Sequence, residues 1–69
     1  MMINFSTRLK EIRIKKQLTQ KEVGTLTGVG QSSISAWERG DRQPLASQLV
    51  ILARFFECSV DYLLGLTDC

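Results

Sequence analysis

Apolar residues recur along this chain at helical spacing, in short runs separated by polar turns. Phe5, Leu9 and Ile12 form one stripe, with Arg8, Lys10, Glu11, Lys15 and Lys16 mostly off it, which predicts a first helix over 5–16. Gln17 and Leu18 break that pattern. Thr19-Gln20-Lys21-Glu22 then reads as a capping box, in which the Thr19 hydroxyl accepts from the Glu22 amide and the Glu22 carboxylate accepts from the Thr19 amide. Leu18 and Val23 bracket the box as a hydrophobic staple, so a second helix is expected over 20–27. Gly28 suits the left-handed geometry that stops a helix. A third helix over 31–39 carries Ile34 and Trp37 on its apolar side and stops at Gly40, before the loop Asp41-Arg42-Gln43-Pro44. Leu49, Leu52, Ala53 and Phe56 mark a fourth helix over 46–57. Ser59 caps a fifth over 60–64, with Asp61 in its first turn, where negative charge is favoured. No period-two alternation runs far enough for a strand. The expected architecture is all-α: one compact five-helix domain over 1–69.

The third helix raises a question of composition. Opposite Ile34 and Trp37 lie Gln31, Ser32, Ser35, Ala36 and Arg39. Serine is only a middling helix former, so local propensity does not account for this short polar face. The preceding segment is also unusual. Gly24 falls inside the second helix and Gly28 four residues later, with Val23, Val29, Ile34 and Trp37 as the apolar positions. Two short helices crossing steeply through a tight turn have this requirement, one glycine for close approach and one for positive φ.

Charge sharpens the picture. Residues 1–42 carry eight Lys/Arg against four Asp/Glu, whereas residues 43–69 carry one Arg against three acids. That asymmetry favours an anionic partner near the first part of the chain. The absence of histidine excludes His-based acid–base chemistry and most zinc sites. No nucleophile elbow or phosphate-cradling glycine loop is present, so no enzyme, metal or cofactor is expected. Cys58 and Cys69 make no disulfide framework, and Cys58 fits a buried apolar position. No apolar run approaches the roughly 20 residues of a membrane helix, and MMINFSTRLK lacks the apolar core of a signal peptide, so a cytoplasmic location is expected.

RLKEIR (8–13), LTQKEVG (18–24), TGVGQSSIS (27–35), AWERG (36–40) and LARFFECSVDYLLG (52–65) together resemble the helix-turn-helix family of phage repressors and Cro, the xenobiotic-response-element (Xre) family. The resemblance implies a lambda-repressor-like domain that binds double-stranded DNA, with the third helix in the major groove. The family's base-reading positions fall on Gln31, Ser32, Ser35 and Ala36, and its backbone-contact positions on Gln20 and on Gly30 at the helix mouth. Arg39 and Arg42 follow as candidate phosphate contacts. Side-chain chemistry agrees with several of these roles. The Gln31 amide matches an adenine edge in bidentate fashion, serine hydroxyls discriminate less, and the Ala36 methyl suits a thymine methyl. The resemblance further implies that Glu38 turns inward to pair with Arg13, which removes a carboxylate from a surface meant for phosphate.

As a family member the chain is expected to act as a transcriptional regulator, a repressor, dimerising on a palindromic operator with half-sites about 34 Å apart. Tyr62, Leu63, Leu64 and Leu66 are candidates for a dimer face. Three features depart from the family pattern: Leu45 stands where a polar cap is usual, and Ile14 and Ile51 stand where charges are usual. Ile14, Ile51 and the low net charge keep open a rival reading of the same fold as a protein-interaction module, either an antitoxin that masks a toxin or an adaptor whose DNA face is vestigial; the resemblance also implies that a further ligand-sensing or oligomerising domain can accompany such a fold.

Overall fold

The computed structural model describes residues 4–68; residues 1–3 and Cys69, on which the readings of the extreme N-terminus and of the second cysteine bear, lie outside them. Five helices follow in order: α1 (Phe5–Lys15), α2 (Gln20–Thr27), α3 (Gln31–Arg39), α4 (Ala46–Phe56) and α5 (Val60–Leu64). No strand occurs among the described residues. The capping box at Thr19 forms with both of its reciprocal hydrogen bonds, and the Ser59 hydroxyl accepts from the Tyr62 amide. Leu45 has no side-chain acceptor for α4; Gln48 Oε1 supplies the return half alone, accepting from the Leu45 amide at 2.8 Å.

Helices α1 and α4 stop one residue earlier than the apolar spacing predicts, because Gln17 and Glu57 adopt left-handed backbone at φ 60° and 56°. The Leu18 amide then reaches back to the Arg13 carbonyl, and the Cys58 amide to the Ala53 carbonyl. These bonds satisfy carbonyls that a helix end would otherwise leave open.

Leu9, Val23, Ile34, Leu52 and Leu63 are fully buried, and Phe5, Ile12, Trp37, Leu49, Ala53 and Phe56 complete one core. Phe5 meets Trp37 edge-on with ring centroids 6.2 Å apart, fastening α1 to α3. The Arg8 guanidinium lies 4.6 Å from the Tyr62 ring centroid and donates to the Thr67 carbonyl, fastening α1 to α5 and the segment after it. The expected dimer face at 62–66 loses Leu63. Leu63 is spent on the core, Tyr62 and Leu64 pack against that core, and Leu66 alone of the four is exposed. Ile14 and Ile51 are exposed, as their sequence positions suggest, and Leu26, Leu45 and Val50 join them.

The site depends most on the α2–α3 crossing. A Cβ added at Gly24 would stand 2.5 Å from both the Gln31 nitrogen and the Gly30 carbonyl carbon, so the two backbones meet with no room for a side chain. The Gly28 and Gly30 amides both donate to the Gly24 carbonyl, at 3.1 and 3.0 Å. Gly28 has the opposite character: φ is 80°, and nothing lies within 4 Å of an added Cβ. Gly24→Ala should therefore cost about 3 kcal/mol or more through overpacking against rigid backbone. Gly28→Ala should cost about 1–2 kcal/mol, the left-handed penalty alone. Urea denaturation of the two variants checks this; equal losses would contradict the close approach at Gly24.

Candidate nucleic-acid interface

Helix α3 divides into two faces. Ile34 and Trp37 enter the core, while Gln31, Ser32, Ser35 and Arg39 line one shallow open depression on the outside. Gln31, Ser32 and Arg39 are exposed and Ser35 is half-buried. Gly30 stands at the helix mouth as the N-cap residue, at φ 91°, and offers no side-chain cap, so the first amides of α3 point outward without a capping partner.

Ala36 departs from the expected face, being only 4% exposed. The helical wheel sets it outward, whereas the folded chain buries it; separately, its main-chain carbonyl accepts from the Asp41 amide at 3.0 Å in the turn that ends α3. A methyl so covered is not presented to a thymine.

Behind this face runs a hydrogen-bonded chain across three helices. Arg13 from α1 grips Glu38 from α3 in two-pronged fashion, Nε to Oε2 at 2.6 Å and one terminal nitrogen to Oε1 at 2.9 Å. The other terminal nitrogen donates to the Leu18 carbonyl at 2.8 Å. The pair is sequestered, with the Arg13 side chain 13% exposed and that of Glu38 4%. This is the inward-turned pair implied by the resemblance. The hydrogen bond that Arg13 donates to Glu38 raises the affinity of Arg13 for its proton, and the cost of burial opposes it. Gln20, at the start of α2, extends the chain: its Nε2 donates to Glu38 Oε1 at 3.1 Å, and its Oε1 accepts from the Ser35 hydroxyl at 2.6 Å.

Two expected site residues thus prove to be joined to each other. Gln20 was expected to face the nucleic-acid backbone, yet its carbonyl and one amide proton are engaged inside the protein. Ser35 is tied to Gln20 while still lining the open depression. Sequence reasoning paired Arg13 with Glu38 but missed both extensions. Among the described residues no buried side-chain nitrogen or oxygen lacks a partner.

The cations beyond the network are disposed differently. Arg39 pairs with Asp41 at 2.8 Å, but both side chains are about 60% exposed, so the pair is weak and easily exchanged for another anion. Arg42 is exposed and forms no ion pair among the described residues. Lys21, next to Gln20 on α2, is also exposed. Cys58 is half-buried against the core, where burial raises its thiol pKa and Lys16 pulls the other way, so its environment disfavours the reactive thiolate.

Replacing Glu38 by Gln removes the carboxylate while preserving shape. Arg13 then keeps its charge at a half-buried site with no counter-ion. Glu38→Gln should cost about 2 kcal/mol, a fall of roughly 8–16 °C in melting temperature for a domain of this size. An unchanged thermal melt would contradict a structural role for the pair.

The chain is similar to known proteins. The chain is 39% identical over 64 residues to the uncharacterized HTH-type transcriptional regulator YobD of Bacillus subtilis, covering 93% of this chain and 57% of that protein. It is 37% identical over 57 residues to repressor protein C2 of Salmonella phage P22, covering 83% of this chain and 26% of that protein. The chain therefore spans little more than half the length of the first and about a quarter of the second. Among solved structures, the P22 c2 repressor in complex with synthetic operator 9T superposes with a TM-score of 0.85 at 33% identity, covering 91% of this chain and 96% of that one. The helix-turn-helix family profile matches residues 9–63, and the chain belongs to that family.

Proposed function

We propose that this chain is the sequence-specific DNA-binding domain of a transcriptional regulator, a repressor, that sets α3 in the major groove of a double-stranded operator. The observation that carries this reading is the outer face of α3. Gln31, Ser32 and Ser35 are short, polar and presented together in one open depression, on a helix anchored by Ile34, Trp37 and the Arg13–Glu38 pair. A helix approaching base edges closely needs short side chains, whereas long cations serve phosphate better. The likeness to a repressor solved in complex with an operator supports the same direction of docking.

Within this reading Gln31, Ser32 and Ser35 contact bases. Ala36 is left out because its methyl is covered. Backbone contacts come from the uncapped first amides of α3 after Gly30 and from the exposed Arg42. Arg39 joins them once a phosphate displaces Asp41. Gln20 contributes its main-chain amide and its second side-chain amide proton, the first being held by Glu38. Binding by a two-fold dimer on a palindromic operator follows from this docking geometry. The site of action is then the cytoplasm, on the nucleoid while bound. No described helix is long and apolar enough to cross a membrane.

The exposed Ile14 and Leu26 favour a second reading, in which the domain also meets a protein partner such as a toxin or a further domain. Co-purification of a partner, with DNA affinity no better than non-specific, would favour that role over operator binding.

In vitro selection of bound duplexes, followed by titration, tests the main reading. Gln31→Ala should relax the preference at one or two base positions and cost roughly 1–3 kcal/mol on the preferred duplex. Arg42→Ala should weaken all sequences alike and reduce the salt slope by about one. No preference for any selected duplex over random DNA at moderate salt would defeat the proposal.

A further inference from the structure

We infer that Gln20 fixes the proton of the Ser35 hydroxyl, so that Ser35 meets DNA only as a hydrogen-bond acceptor and selects a base that presents an exocyclic amine. The inference rests on the DNA-binding reading and adds the chemical identity of one base contact to it.

The argument starts at a group whose polarity is not in doubt. The Glu38 carboxylate receives two bonds from Arg13 and can only accept. A neutral amide can be turned end for end, but next to an acceptor-only carboxylate the nitrogen of Gln20 must face Glu38, as it does at 3.1 Å. The Gln20 carbonyl oxygen then faces Ser35, 2.6 Å away. A carbonyl oxygen also only accepts, so the hydroxyl must spend its one proton there. Each step removes one freedom: Arg13 holds Glu38, Glu38 orients Gln20, and Gln20 orients the hydroxyl.

Ser35 nonetheless lines the open depression with Gln31, Ser32 and Arg39. With the proton turned inward, the side chain offers only lone pairs outward. A free serine matches donors and acceptors about equally and discriminates poorly. This one matches the N4 amine of cytosine or the N6 amine of adenine, and it opposes the O6 and N7 of guanine and the O4 of thymine, which are acceptors in the major groove. Gln20 is thus a positioning residue for specificity and makes no base contact itself. Ser32 lies on the same face and has no such fixed partner among the described residues, so the restriction applies to Ser35 alone.

The test uses the 69-residue chain and the duplex it selects in vitro. Adenine is replaced by purine, and cytosine by 2-pyrimidinone, one position at a time, each removing a single amine. One position should show a loss of about tenfold in affinity that disappears in Ser35→Ala, a truncation outside the apolar core that is confirmed as folded by its thermal melt. Gln20→Leu, confirmed as folded by its thermal melt, should shrink that same penalty to about twofold or less and let guanine or thymine in at that position. A merely structural role for Gln20 would weaken all positions alike. If the position governed by Ser35 selects guanine or thymine in the wild type, or if Ser35→Ala leaves every amine penalty intact, the inference is overturned while operator binding stands. If no duplex is selected at all, the binding reading fails and takes this inference with it.

Discussion

A carboxylate buried behind the outer face of α3 governs the organisation of this domain. Glu38 is almost wholly sequestered, and an unpaired charge there would be costly. It is satisfied by Arg13 from α1 and by Gln20 from α2. Three helices that already share the core through Leu9, Val23 and Ile34 are thereby also tied together at their polar edges. Arg13 also takes the Leu18 carbonyl just ahead of the Thr19 cap, so the point where α2 starts is tied to the same guanidinium. The α2–α3 angle is then closed from the other end by the backbone contact at Gly24. Between an electrostatic tie and a steric limit, the helix pair has little freedom to open or rotate.

The same economy explains the composition of the binding face. Acidic groups near α3 are either withdrawn, as Glu38 is, or paired on the surface, as Asp41 is with Arg39. Of the cations in the first part of the chain, Arg8 and Arg13 are spent on holding α1 in place. The basic half of the molecule therefore offers DNA fewer free charges than its sequence total suggests. Phosphate neutralisation supplies much of the affinity of such proteins. A domain with few free cations depends correspondingly more on well-oriented neutral contacts.

Much of the fold was legible because its signals are local. The Thr19 box and the Ser59 cap mark helix starts through residues three apart, and the apolar stripes follow helical spacing into the core. The ends of α1 and α4 were less legible, since Gln17 and Glu57 carry no side-chain signature of left-handed backbone. That Gln31, Ser32 and Ser35 share an outer face was readable, because polarity and helical spacing agree there. The expectation of an outward methyl fails at Ala36, which is buried by tertiary packing that no local pattern reports. The engagement of Gln20 was invisible because its partners lie fifteen and eighteen residues away, beyond the reach of any local pattern. Leu63 and Leu66 looked alike in sequence, but Leu63 sits on α5 against the core, whereas Leu66 lies past the end of that helix and is exposed.

The central claim is that one surface of this domain, the outer face of α3 with the adjoining ends of α2 and the turn after α3, meets the DNA. Amide chemical-shift mapping of the labelled chain, titrated with a duplex it selects, tests that claim directly. The account predicts large perturbations at Gln20 and Lys21, through Gln31–Ser35 and across Arg39–Arg42, with α4 and α5 little affected. Perturbations centred instead on Ile14, Val50 and Ile51, with the α3 amides unmoved, would contradict it.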